Sequence, residues 1–137
     1  MARFMTLLTT VLLISISVSA QTPSPEGARL YFISPDDGDT VTSPVTVKFG
    51  LRNMGVAPAG VNIENTGHHH IVIDAELPPL NQPIPADKNH VHFGKGQTET
   101  TLELSPGKHT LQLLLGDHTH IPHNPPVISD KITITVK

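Results

Sequence analysis

The chain has 137 residues, of which 15% are charged and 4% aromatic, with a formal net charge of −3 and no cysteine. The missing cysteine excludes disulfides, thiolate metal sites and cysteine nucleophiles. The lack of any basic cluster argues against a nucleic acid or an anionic membrane surface as partner.

The amino terminus reads as a secretory signal over residues 1–20. Arg3 supplies the positive start, Leu7 to Ile16 the short apolar run, and Val18-Ser19-Ala20 the small-residue cleavage site. The run is shorter than the roughly 20 apolar residues of a spanning helix. No membrane span is therefore expected, and the expected location is periplasmic or secreted. Residues 21–28 read as a flexible leader, and residues 29–137 as one domain with one core.

Arg29 to Ser34 is the first predicted strand, closed by the turn cluster Pro35-Asp36-Asp37-Gly38-Asp39. Val45 to Leu51 alternates, with Val45, Val47, Phe49 and Leu51 on one face. Residues 52–67, with Gly55, Pro58, Gly60 and Gly67, read as a loop. His68 to Asp74 is the next strand. Ile71 and Ile73 mark its core face, so parity turns His69 inward and His68 and His70 outward.

Ala75 to Asn89 carries Pro78, Pro79, Pro83 and Pro85. An extended polyproline conformation, at about 3.1 Å per residue, lets this stretch cross the domain and return. His90 to Phe93 is a short strand, and Thr98 to Leu104 alternates again. His109 to Leu115 is the most apolar strand, and Lys131 to Val136 the last, with Ile132, Ile134 and Val136 inward. About seven short strands between Gly/Pro turns, with no amphipathic helix, predict an all-β fold: a single immunoglobulin-like antiparallel β-sandwich.

Eight of the nine histidines fall in three groups: His68-His69-His70, His90-Val91-His92, and His118-Thr119-His120 with His123 just beyond. On an extended strand residues i and i+2 share a face, and imidazole is the commonest ligand for zinc and copper. If the His68 and Leu111 strands are the third and sixth of an immunoglobulin-like order, they are antiparallel neighbours. That brings His68 and His70 beside His118 and His120, and the proline-rich crossover delivers His90 and His92 to the same end.

The candidate metal ligands are therefore His68, His70, His90, His92, His118, His120 and His123. Copper or zinc commonly takes four ligands. Seven candidates imply two sites, supporting roles for some, or one site served by exchange. The bland alternative is a set of polar residues at strand ends, hydrogen-bonded to backbone and to one another. Met54 reads either as a soft ligand for Cu(I) or as a loop residue packed under the sandwich edge. Asp74, Asp117 and Glu64 read either as carboxylates that orient imidazole N–H groups or as solvated turn residues. His109 reads as a strand-surface residue outside the site.

Segments Met54 to Gly60, Thr66 to Asp74, Leu80 to Pro85, His90 to Glu99 and Leu115 to His123 resemble the bacterial exported family of domain of unknown function 4399 (DUF4399). The resemblance implies one exported domain with a site at these histidines, and it implies no activity. The expectation is a periplasmic or secreted protein that binds copper or zinc in metal storage, delivery or sensing. Its partners would be the metal ion and a metal-delivery or envelope protein. One alternative is a β-sandwich module for a non-metal ligand or a protein. Another is a small copper-dependent redox enzyme, for which no hydrolase, phosphate-loop or dinucleotide motif speaks.

Overall fold

A computed structural model describes residues 20–137, so the signal expected over residues 1–20 lies outside the described residues but for Ala20. Among the described residues the chain forms nine strands and no helix. They are β1 (Arg29–Ser34), β2 (Thr40–Val41), β3 (Val45–Arg52), β4 (Gly55–Val56), β5 (Thr66–Ile73), β6 (His90–His92), β7 (Glu99–Leu102), β8 (Gly107–Gly116) and β9 (Ile132–Val136).

One sheet has the order β1-β3-β7 and the other β2-β9-β8-β5-β4, with β6 also paired to β5. The seven strands of three or more residues match the seven expected, and all pairings among these seven are antiparallel. The two additions, β2 and β4, have two residues each and pair in parallel with β9 and β5. Two residues carry no periodicity, which is why residues 52–67 read as loop throughout. The third and sixth long strands, β5 and β8, are antiparallel neighbours as expected, with His68 opposite Gly116 and His70 opposite Leu114.

The core lies between the two sheets. Val45, Val47 and Phe49 of β3 face Ile71 and Ile73 of β5, Leu111, Leu113 and Leu115 of β8, and Ile132, Ile134 and Val136 of β9. Each is buried, and full burial of such a side chain stabilises by about 1.5–3 kcal/mol. His69 joins this face, its ring 4.8 Å from that of Phe49. Met54 packs against the same core, as in the second of its two readings.

The outer face of the larger sheet is covered as well. Val72 and Leu114 point away from the inter-sheet core yet are buried, Val72 opposite His90 and Leu114 bridged to Ile128. The proline-rich stretch leaves β5, donates Ile84 N–H to the carbonyl of His120 at 2.9 Å, and returns as β6 along the edge of β5. The stretch 21–28, expected as a leader, is tied down over its first half. Gln21 Nε2 donates to the carbonyls of Leu80 and Pro122, Ser24 Oγ donates to that of Pro125, and Pro23 bridges Asn124.

Candidate metal centre

Strand geometry brings the first three imidazoles together. His68 and His70 alternate onto the outer face of β5, their ring centroids 4.8 Å apart. Strand β6 runs antiparallel along the β5 edge with His92 opposite His70, and the His92 ring lies 5.0 Å from both. The potential ligand atoms of His68, His70 and His92 lie within 4.8 Å of one another. A fourth ring enters from the turn after β8: His120 stands 4.8 Å from His92 and 5.0 Å from His68.

Two glycines make the space. At Gly116, opposite His68, a Cβ would stand 2.8 Å from His70 Cε1 and 3.4 Å from the Cα of His120. At Gly94 a Cβ would stand 2.4 Å from His92 Cε1. Both positions are closed to any other residue unless a ring moves. The parity argument placed His68 and His70 on the correct face, but that face is roofed rather than solvated.

Burial sets the chemistry. His68 and His70 are 0% and 1% exposed, whereas His92 is exposed. Desolvation, followed by the neighbouring His92 and His120 rings, lowers the His68 pKa to about 4. Desolvation and the three surrounding imidazoles lower that of His70 to about 3. The pKa of His92 is also lowered, by burial and then by His120. At neutral pH His68 and His70 are uncharged, and a neutral ring has one nitrogen with a free lone pair. Both nitrogens of His68 and Nδ1 of His70 are buried without a hydrogen-bond partner, an arrangement that costs about 1–3 kcal/mol per group.

These residues fit a metal ion. Zinc–imidazole bonds of about 2.0–2.1 Å place tetrahedral nitrogens roughly 3.3 Å apart, so modest ring rotations would close the group on one ion. The donors are all imidazole, a set that suits zinc and copper alike.

The other three candidate ligands sit on different partners. His90 is two residues from His92 and opposite Val72, and its Nδ1 pairs with Asp87 Oδ1 at 2.7 Å. His118 and His120 lie on a turn, not a strand, and therefore diverge. His118 is half-buried beside Gln21, Thr22 and Asn81, and its carbonyl accepts Gly60 N–H at 3.0 Å. His123 is 1% exposed, its Nε2 is 3.1 Å from the carbonyl of Thr66, and burial lowers its pKa.

The carboxylates divide between their two readings, and none of them bonds an imidazole of the cluster. Asp74 holds His109 Nδ1 at 2.7 Å and Thr110 N–H at 2.8 Å, away from the clustered rings. Glu64 is exposed in the turn before β5. Asp117 bonds backbone and hydroxyl groups and no imidazole. Gly94 and Gly116 went unrecognised as parts of the site. Their positions, two residues after a His-x-His and two before another, were the available signal.

Fold and site together define an all-β sandwich with four imidazoles gathered on the outer face of one sheet. The chain belongs to the family described as domain of unknown function (DUF4399), whose model matches residues 47–137 and so spans every histidine. No curated protein and no solved structure matches the chain.

Proposed function

We propose that the protein binds a copper or zinc ion through His68, His70, His92 and His120 and serves in metal storage, delivery or sensing outside the cytoplasm. The observation that carries this reading is the convergence of ligand atoms from His68, His70 and His92 within 4.8 Å, with buried nitrogens that no protein group satisfies. Lowered pKa values favour it, because protons compete with metals for imidazole lone pairs. They speak against an anionic ligand, since neutral rings supply no positive charge. The exposure of His92 leaves one ligand within reach of solvent, which suits exchange of the ion better than permanent burial. Export is favoured by the signal-like composition of residues 1–20.

Calorimetric titration of metal-free protein with Cu(II), and separately with Zn(II), tests the reading. The expected result is submicromolar uptake of about one equivalent, a common range for structural or exchange sites built from several imidazoles. It should be abolished in the His68→Ala/His120→Ala double variant, with circular dichroism confirming the fold. Millimolar or absent uptake by the folded wild-type protein would refute it.

A further inference from the structure

We propose that Asp117 is a positioning residue for the fourth imidazole, and that Thr22, on the segment before β1, holds Asp117 in place. The inference rests on the metal reading of the cluster. Its basis is a hydrogen-bond network that reaches His120 only through the backbone.

Asp117 is 4% exposed, and both of its oxygens are engaged. Oδ1 accepts the N–H and Oγ1–H of Thr119 at 2.8 and 2.7 Å, and the N–H of Ile121 at 3.0 Å. Oδ2 accepts Thr22 Oγ1–H at 2.6 Å. Residues on both sides of His120 are thus fixed to one carboxylate. The backbone adds two bonds, from His120 N–H to the carbonyl of Asp117 and from Asp117 N–H to that of Ile121, each 2.9 Å.

Such bracing is needed because His120 has a φ of 70°. A non-glycine residue keeps that left-handed conformation only where its surroundings impose it. There the conformation sets the His120 Cα against Gly116 and its ring toward His68 and His92, while His118 lies beside Gln21, Thr22 and Asn81. Thr22 is itself anchored, its carbonyl accepting Asn124 N–H at 3.0 Å, with Gln21 and Ser24 bonded on either side. The segment before β1 thereby completes the support of a loop nearly 100 residues away in sequence.

The test compares Asp117→Ala with Asp117→Asn by Zn(II) competition against a chromogenic chelator. A second readout counts nitrogen couplings in the electron paramagnetic resonance spectrum of the Cu(II)-loaded protein. Loss of a group that orients a ligand typically lowers metal affinity about 10- to 100-fold, the loss expected for Asp117→Ala, with one coupled nitrogen fewer. Asparagine retains Oδ1 as acceptor and offers Nδ2–H to Thr22 Oγ1, so Asp117→Asn should remain within a few-fold of wild type. An asparagine variant as weak as the alanine variant would make charge, not position, the role of Asp117 and would overturn the proposal. An alanine variant of unchanged affinity would also overturn it.

If Asp117→Ala fails to fold, Thr22→Val removes one bond and should weaken binding about 2- to 10-fold, the equivalent of one hydrogen bond. An unchanged affinity there would remove Thr22 from the device. If wild-type protein takes up no metal, the reading of the cluster fails by itself, and positioning is then judged in metal-free protein. Nuclear Overhauser contacts between the His120 and His92 rings should vanish in the alanine variant, weaken in the valine variant and persist in Asp117→Asn. Their survival in all variants would overturn the proposal.

Discussion

Replacing His69 by leucine should reduce the acid sensitivity of the fold without touching the cluster of four imidazoles. His69 is buried against Phe49, both ring nitrogens lack hydrogen-bond partners, and desolvation lowers its pKa from 6.5 to about 4, opposed more weakly by the Gly50 backbone. The unfolded chain takes up a proton at this ring as pH falls through 6.5, whereas the folded chain resists until about 4. Folding is therefore penalised progressively across that window, and the penalty levels off below it. A shift from 6.5 to about 4 corresponds to roughly 3 kcal/mol in full, of which about 2 kcal/mol is expressed between pH 7 and pH 4.5. Urea unfolding of metal-free wild type and His69→Leu at both pH values measures the difference. The variant should lose about 2 kcal/mol less than wild type on acidification. At pH 7 it should be as stable or more so, because an apolar group of similar size replaces unsatisfied polar atoms. Equal losses in the two proteins would refute the argument that burial of this ring penalises its charged form.

The remaining predictions concern the two sides of the sheet. Gly116→Ala places a Cβ 2.8 Å from His70 Cε1. It should destabilise by about 1–3 kcal/mol through overpacking and weaken Zn(II) uptake more than Leu114→Ile does, measured by chelator competition. His118→Ala should leave affinity within about twofold, because its ring stands outside the cluster. His120→Ala should lower it at least about tenfold, a loss of one ligand or of its orientation; equal effects would refute the divergence of the two side chains. The His109 pKa is raised by its bond to Asp74 and then by the Ser105 carbonyl. Its contribution is thus fully present below pH 6.5 and is lost as pH rises through the elevated folded value. Asp74 is partly solvated, so His109→Ala should cost only about 1 kcal/mol at pH 6 and less at pH 9 by urea unfolding, with metal uptake unchanged.

Alternation along strands made most of the fold legible. The runs Val45-Val47-Phe49, Ile71-Ile73, Leu111-Leu113-Leu115 and Ile132-Ile134-Val136 are each the inner face of a strand, and the same parity placed His69 inside and His68 with His70 outside. Parity has a limit of its own. It says which face a side chain takes, but not what covers that face. His68 and His70 are buried, with His120 of the 117–125 loop against their rings, and that loop is tied to the 75–89 loop and to residues 21–24. No local pattern records those long-range contacts.

The same spacing, His-x-His, has three outcomes here because its backbone differs each time. On β5 both rings join the cluster. On β6 both share a face, yet register with Val72 and the carboxylate of Asp87 hold His90 apart. After β8 the chain has left extended geometry, and spacing of two no longer means a shared direction. The signal for that change was present in Asp117-His118-Thr119, where an aspartate oxygen accepts the N–H two residues on and founds a turn. Asp117, read either as a carboxylate that orients imidazole N–H groups or as a solvated turn residue, is a buried turn residue that binds the backbone on both sides of His120. Ligand spacing therefore has meaning only after the local conformation is assigned, and in this chain Asp117 makes that assignment.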